Sequence, residues 1–168
     1  MPPLSVRAAT PDDAAAINRI YNHYVLNTTI TFDLEPWSTQ RRKAWLNEFA
    51  DHETPYIMLI AESDGKVAGF AYNSCFRPRA AYRLSCETTI YTDPENHPRG
   101  TGTALYETLF QRIEKTELHR AYAVIALPNP RSIAFHQRFG FTPVGTLHQV
   151  GRKFGRYVDV TWFEKALK

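Results

Sequence analysis

Glu87 opens a β-branched run, Glu87-Thr88-Thr89-Ile90-Tyr91, after which the chain loops to His97-Pro98-Arg99-Gly100-Thr101-Gly102-Thr103. A carboxylate so placed can accept a proton from a reacting group, directly or through water. The glycine-bearing turn leads into a helix whose first N–H groups lack intrahelical partners. The helix dipole there favours an anion, typically by about 0.3–1 kcal/mol for one exposed charge. Glycine lets the backbone approach such a ligand closely, so the turn reads either as a phosphate cradle or as a helix entry that needs two glycines for packing. It is not a Walker loop, because Gly-Lys-Ser/Thr is absent. It is not a dinucleotide fingerprint either, because Leu105 stands where the third glycine belongs.

Other reactive side chains are scattered along the chain. Cys86, next to Glu87, raises the possibility of an acyl-enzyme, but strand alternation points the two side chains to opposite faces and no neighbour in sequence lowers the thiol pKa. With Cys75 it forms neither a Cys-x-x-Cys pair nor a metal-ligand set, so no zinc or other metal is expected and both thiols are read as reduced. His136 is a lone helical histidine that either handles a proton or shapes a pocket. Tyr106, in the first turns of the helix after the glycine turn, either points its phenol back toward that turn or joins the core. Arg77 and Arg79 flank Pro78 in a loop. Their planar forks suit paired acidic oxygens, and otherwise they are solvated charges.

The elements that must carry these groups follow from periodicity. A strand is expected at 4–8. Thr10-Pro11-Asp12-Asp13 then reads as a capped helix start, and Ile17, Ile20, Tyr21 and Tyr24 form one stripe of the helix that follows. Asn27 and the run Thr28-Thr29-Ile30-Thr31 stop that helix and leave Phe32 in a loop. A second helix is expected over 38–51. Strands are expected at 56–61 and 67–73, joined by Ser63-Asp64-Gly65-Lys66, and again over 85–92. Leu105, Leu109 and Ile113 predict a helix over 100–116. A strand at 122–127 follows, then a short helix capped by Asn129-Pro130, then strands at 142–150 and 158–165. The hairpin is antiparallel, whereas the strand-helix-strand unit over 85–127 favours a parallel crossover, so the sheet is mixed.

Composition sets the outer bounds. With 168 residues, 43% hydrophobic and 22% charged, the chain suits one domain over residues 1–168. A formal charge of +3, from 20 basic and 17 acidic residues, is too small and too diluted for a nucleic-acid partner. The first residues lack an apolar signal core, and no apolar run approaches the roughly 20 residues of a membrane span. A cytoplasmic protein without a membrane partner is the expectation.

The strand 87–91, the Arg99-Gly100-Thr101-Gly102 turn, and the later strand, Asn129-Pro130, helix and Gly140-Phe141 resemble the acetyl-CoA core of the GNAT N-acetyltransferase superfamily. The likeness covers nearly the whole chain. Asn22-His23-Tyr24 with Thr28 to Phe32, the loop Arg77-Pro78-Arg79-Ala80-Ala81-Tyr82, Ser132 to His136, and Gly151 to Arg156 with Asp159 resemble phosphinothricin and methionine sulfoximine N-acetyltransferases. The resemblance implies an α/β chain of the α+β type, with a mixed, largely antiparallel sheet of about seven strands flanked by about four helices.

For function, it implies acetyl-CoA as co-substrate and a small amino-acid-like amine as acceptor, with direct attack in a ternary complex and a homodimeric assembly. The last strands, with Trp162 and Phe163, are expected either to meet the partner copy or to close the core. Glu87 takes the place of the general base, with Tyr106 and His136 beside it. The resemblance assigns the cofactor to the backbone of Ile90, Tyr91 and Thr92, to Pro98, Arg99, Gly100, Thr101, Gly102 and Thr103, and to Asn129 and Ser132. It assigns the acceptor to Phe32, Arg77, Arg79, Tyr82 and Glu87, leaving open which arginine faces inward. One departure stands out: His97 replaces the Gln or Arg that usually opens the turn, and Pro98 removes a backbone donor. Such a donor to a charged group is worth roughly 1.5–3 kcal/mol. A polyamine, aminoglycoside or protein N-terminus as acceptor would call for acidic residues where the Arg77–Arg79 loop is basic. A non-catalytic acyl-CoA sensor would have no use for Glu87.

Overall fold

The computed structural model describes residues 4–51 and 54–168. Strand β1 (Leu4–Ala8) leads to Thr10, whose N–H is taken by the Asp13 carboxylate at 2.7 Å, while Arg7 grips the same carboxylate with bonds of 2.8 and 2.9 Å. Burial alone would raise the Asp13 carboxyl, but the bonds from Arg7 and Thr10 outweigh it and hold the group below its ordinary value. Pro11–Asp13 forms one 3-10 turn, and helix α1 (Ala14–Asn27) continues from it. Helix α2 (Thr39–Leu46) starts where the Ser38 hydroxyl accepts the Arg41 N–H. It is shorter than the segment expected at 38–51 and ends in a 3-10 turn, Asn47–Phe49. Asparagine at that point competes for backbone partners and weakens helix continuation.

A hairpin of β2 (Met58–Ser63) and β3 (Lys66–Cys75) turns through Asp64 and Gly65, both with left-handed φ. Then come β4 (Ser85–Thr92), α3 (Thr101–Ile113), β5 (Arg120–Ala126), α4 (Pro130–Arg138), β6 (Thr142–Lys153) and β7 (Arg156–Ala166). The seven strands form one sheet in the order β1-β2-β3-β4-β5-β7-β6, antiparallel throughout except between β4 and β5. Element order and class match the sequence expectation. The terminal hairpin runs longer than expected, because two register shifts in β6 absorb its irregularities before Phe154 and Gly155 turn the chain.

Each face of the sheet has its own core. Leu105, Leu109 and Ile113 of α3 pack on Leu59, Ala71, Cys86 and Phe163, and Ile17 and Ile20 of α1 pack on Ile60, Phe70 and Tyr91 of the other face. Burying each such large side chain contributes about 1.5–3 kcal/mol. Along β4 the alternation puts Cys86 on the α3 side and Glu87 on the opposite side. Phe163 is 3% exposed in the α3-side core. Trp162 packs edge-on to Phe76, with the Arg77 guanidinium above its ring. Phe163 therefore closes the core, while Trp162 is half-buried on the other face. Among the described residues no helix is long and apolar enough to cross a membrane.

Candidate active site

Strands β4 and β5 are paired only from Ser85–Glu87 to Arg120–Tyr122. Beyond Glu87 they part. The Asp93 N–H bonds the Ala68 carbonyl at 2.8 Å, which together with the β3–β4 register makes the odd-numbered residues of β4 the hydrogen-bonded partners of β3. The backbone groups of Ile90 and Thr92 consequently face the gap, and Tyr24 donates its hydroxyl to the Thr92 carbonyl at 2.8 Å. Tyr91 borders the same gap. Its backbone is turned to β3 by the alternation of the ladder and its ring is buried in the α1-side core.

A cleft of about 680 Å³ lies over this gap, lined by Ile90 to Thr92, by His97 and Arg99 to Thr103, and by Asn129, Arg131, Ser132 and Arg138. Gly100 caps α3 with φ +95, a conformation only glycine adopts without strain. Pro98 does not line the cleft. Its carbonyl folds back to accept the Thr101 N–H at 3.2 Å and hydroxyl at 2.8 Å, which spends the first-turn donor of Thr101. Ala104 N–H bonds Gly100, and among the described residues no carbonyl takes the N–H of Gly102 or Thr103. Those two donors belong to the cleft lining that also carries Arg99, Arg131 and Arg138, a combination suited to an anion. Arg131 and Arg138 escape sequence analysis. They are surface arginines of a short helix until the fold brings that helix across from the glycine turn. The helical spacing from Asn129 was the available signal: Asn129 accepts the Ser132 N–H at 3.1 Å and sets the α4 start that aims them.

A smaller cavity of about 60 Å³ occupies the gap itself and is lined by Thr88 to Tyr91, Ala123 to Ala126, Ile30, Asn129, Ser132 and His136. His136 Nδ1 donates to the Ser132 carbonyl at 2.8 Å, which leaves Nε2 to accept the Tyr106 hydroxyl at 2.9 Å. Burial lowers the pKa of this histidine, with the Ser132 carbonyl opposing, so the neutral ring is favoured. Tyr106 lines neither cavity. Its helical position, one residue after Leu105, buries it completely, and burial pushes its phenol well above the ordinary range. Of the two readings of Tyr106, the structure has it join the core, with its phenol on His136.

On the opposite face, Glu87 lies between Ser74 of β3 and Tyr122 of β5. Burial raises its carboxyl above the ordinary 4.5, and the positive charge of Arg77 opposes the rise. Phe76 stacks on Tyr122 at 4.4 Å, with Tyr82 edge-on to Phe76 at 5.7 Å. The Arg77 guanidinium lies 4.6 Å above Phe76 and 5.1 Å above Trp162. The structure thus brings Arg77, Tyr82 and Glu87 together around Phe76 and Tyr122, with Arg77, Arg79 and Tyr82 all exposed. Phe32 is held by the terminal hairpin. Its ring lies on Gly151, and Lys153 Nζ donates to the neighbouring Thr31 carbonyl at 2.7 Å. Cys86 is fully buried with its thiol pushed up to about 12 by burial, which leaves little thiolate near neutral pH for the acyl-enzyme reading. Among the described residues no three His, Cys, Asp or Glu side chains are placed to hold a metal.

A glycine-capped helix facing a parted pair of parallel strands defines an acyl-CoA-dependent transferase fold. Residues 6–162 match the acetyltransferase (GNAT) domain, and the chain belongs to the GNAT superfamily of N-acetyltransferases. It is related to a phosphinothricin N-acetyltransferase of Streptomyces coelicolor, 43% identical over 98% of this chain and 96% of that protein. It is also related to an L-methionine sulfoximine/L-methionine sulfone acetyltransferase of Pseudomonas aeruginosa, 34% identical over 95% of this chain and 92% of that protein. A crystal structure of a GNAT superfamily phosphinothricin acetyltransferase from Sinorhizobium meliloti in complex with acetyl-CoA superposes with a TM-score of 0.90 at 32% identity, over 97% of this chain and 88% of that one. The chain is a GNAT acetyltransferase that draws on acetyl-CoA, and the open N–H groups, the three arginines and the unpaired β4 edge fit that molecule's phosphates and extended arm.

Proposed function

We propose that this protein N-acetylates a small amino-acid-like acceptor of the phosphinothricin or methionine sulfoximine type, by direct attack of the acceptor amine in a ternary complex. The observation that carries this reading is the gap between β4 and β5, which opens immediately after Glu87 and shares Ile30, Ile90, Asn129 and Ser132 with the cofactor cleft. When bound, acetyl-CoA supplies the acetyl group as an activated thioester. Gly102, Thr103 and the three arginines bind its phosphates, while Ile90 and Thr92 align its arm through their open backbone groups. A backbone N–H aimed at the acyl oxygen is worth about 2.7–4 kcal/mol when removed. Glu87 takes the amine proton, and its raised pKa brings it closer to a useful base. Arg77, held flat against Phe76 and Trp162, presents its fork to the acceptor's acidic group, and Tyr82 closes that side. His136 and Tyr106 hold the wall of the gap as positioning residues.

Release of free CoA thiol tests this, with phosphinothricin, methionine sulfoximine, common amino acids and polyamines offered in turn. Turnover with the acidic amino-acid analogues is expected. Turnover confined to polyamines would sink the assignment of Arg77. For assembly we propose a homodimer through the terminal hairpin, whose Val144, Leu147, Val150, Phe154 and Tyr157 are all exposed. Light scattering should then give twice the 19.3 kDa chain mass, and a monomer would refute it.

A further inference from the structure

Cys75 closes β3, and Cys86 stands directly across from it in β4. Because the odd-numbered residues of β4 are the hydrogen-bonded partners, this pair is of the non-hydrogen-bonded kind. Such partners share a face and hold their Cα atoms about 4.5 Å apart, inside the roughly 4.4–6.8 Å that a disulfide spans. The two thiols have unlike surroundings. Cys75 is exposed and donates to the Arg77 carbonyl at 3.1 Å, whereas Cys86 is buried beside Asn73. The Tyr56 hydroxyl bonds Cys75, and burial with that bond raises its pKa. These are the chain's two cysteines.

We propose that Cys75 and Cys86 form a reversible redox site, closing as a cross-strand disulfide when the protein meets a peroxide or a small disulfide such as oxidised glutathione. The exposed Cys75 thiolate reacts first. With a small disulfide it forms a mixed disulfide and releases one small thiol. Cys86, as thiolate, then attacks the Cys75 sulfur and releases the second. Two S–H bonds are lost, one S–S bond forms, and the two electrons and two protons leave on the two released thiols. With a peroxide, Cys75 becomes a sulfenic acid and Cys86 displaces water from it, so the electrons end on two oxygen atoms. The high pKa of Cys86 makes the second step slow, and its rate rises about tenfold for each unit that the pH climbs toward that pKa.

Closure must draw the Cβ atoms from the cross-strand spacing of about 4.5–5.5 Å to about 3.8 Å, so the bond is strained and readily reduced. It also acts next to the acceptor face. Cys86 precedes Glu87, and Cys75 gives up its bond to the Arg77 carbonyl. The effect expected is a several-fold rise in acceptor KM with acetyl-CoA KM unchanged. This functional half rests on the proposed acceptor side, whereas the chemical half does not.

The test incubates reduced protein with oxidised glutathione at alkaline pH, then counts thiols under denaturing conditions and weighs the intact chain. The thiol count is expected to fall from two to none, with a mass loss of two hydrogens and full reversal by a dithiol reductant. C86A should stop at a single glutathione adduct on Cys75, and C75S should form neither adduct nor disulfide. A persistent adduct on wild-type Cys75 with Cys86 still reduced, or a disulfide between two chains, would overturn the site. A disulfide that forms but leaves acceptor KM unmoved would overturn its link to Glu87 and Arg77. Absence of turnover with every acceptor would instead count against the acceptor reading, and the thiol count would still decide the redox site.

Discussion

At Glu87, burial raises the carboxyl pKa and Arg77 restrains it. The folded state therefore favours the protonated group, and any stability this contributes is present at acid pH and lost as pH rises through the folded pKa. Catalysis runs the other way, since only the ionised carboxylate can take a proton. The pH profile of kcat/KM is expected to climb through an apparent pKa above 4.5. Arg77→Gln should move that limb to higher pH by removing the opposing charge. Glu87→Gln should lower kcat by about 10²–10⁴-fold and flatten the limb, with acetyl-CoA affinity retained. An unchanged profile in Glu87→Gln would assign the proton transfer to another group. The face that Glu87 takes was legible in the sequence because alternation separates it from Cys86, whereas its candidacy as base came from the resemblance. The burial of Tyr106 was not legible, since Leu105 and Tyr106 are adjacent and periodicity alone does not say how wide the buried stripe of α3 is.

Among the elements, local pattern carried far. The hairpin turn, the glycine entry to α3 and the Asn129 cap announce themselves in a few residues each. The parting of β4 from β5 does not, because strand pairing depends on residues more than thirty positions away and no local motif records where it stops. The same limit hid Gly151. A Cβ there would lie 2.3 Å from Cε2 of Phe32, a residue over a hundred positions earlier in the chain. Gly151→Ala is expected to eject the Phe32 ring and loosen the Lys153–Thr31 clamp, costing about 1–3 kcal/mol in thermal or denaturant unfolding. Phe32→Ala in the same chain should recover part of that loss. If Gly151→Ala melts like the parent, the ring swings aside freely and the loop is not pinned there.

Over the whole molecule, the slight excess of basic residues is less informative than where the arginines lie. Arg99, Arg131 and Arg138 converge on the cleft, while Arg77 serves the far face. With the acceptor on the Glu87 face as proposed, the sheet is a partition that the two substrates approach from opposite sides. Since neither visitor has to pass the doorway of the other, the enzyme has no structural reason to insist on a sequence of arrival. Initial-rate lines are expected to intersect for both substrates. A dead-end analogue of either one should compete only with its own counterpart, whichever is added first. Parallel lines would mean that the acetyl group pauses on the protein, and strict ordering would mean that one side of the partition is built only after the other is filled.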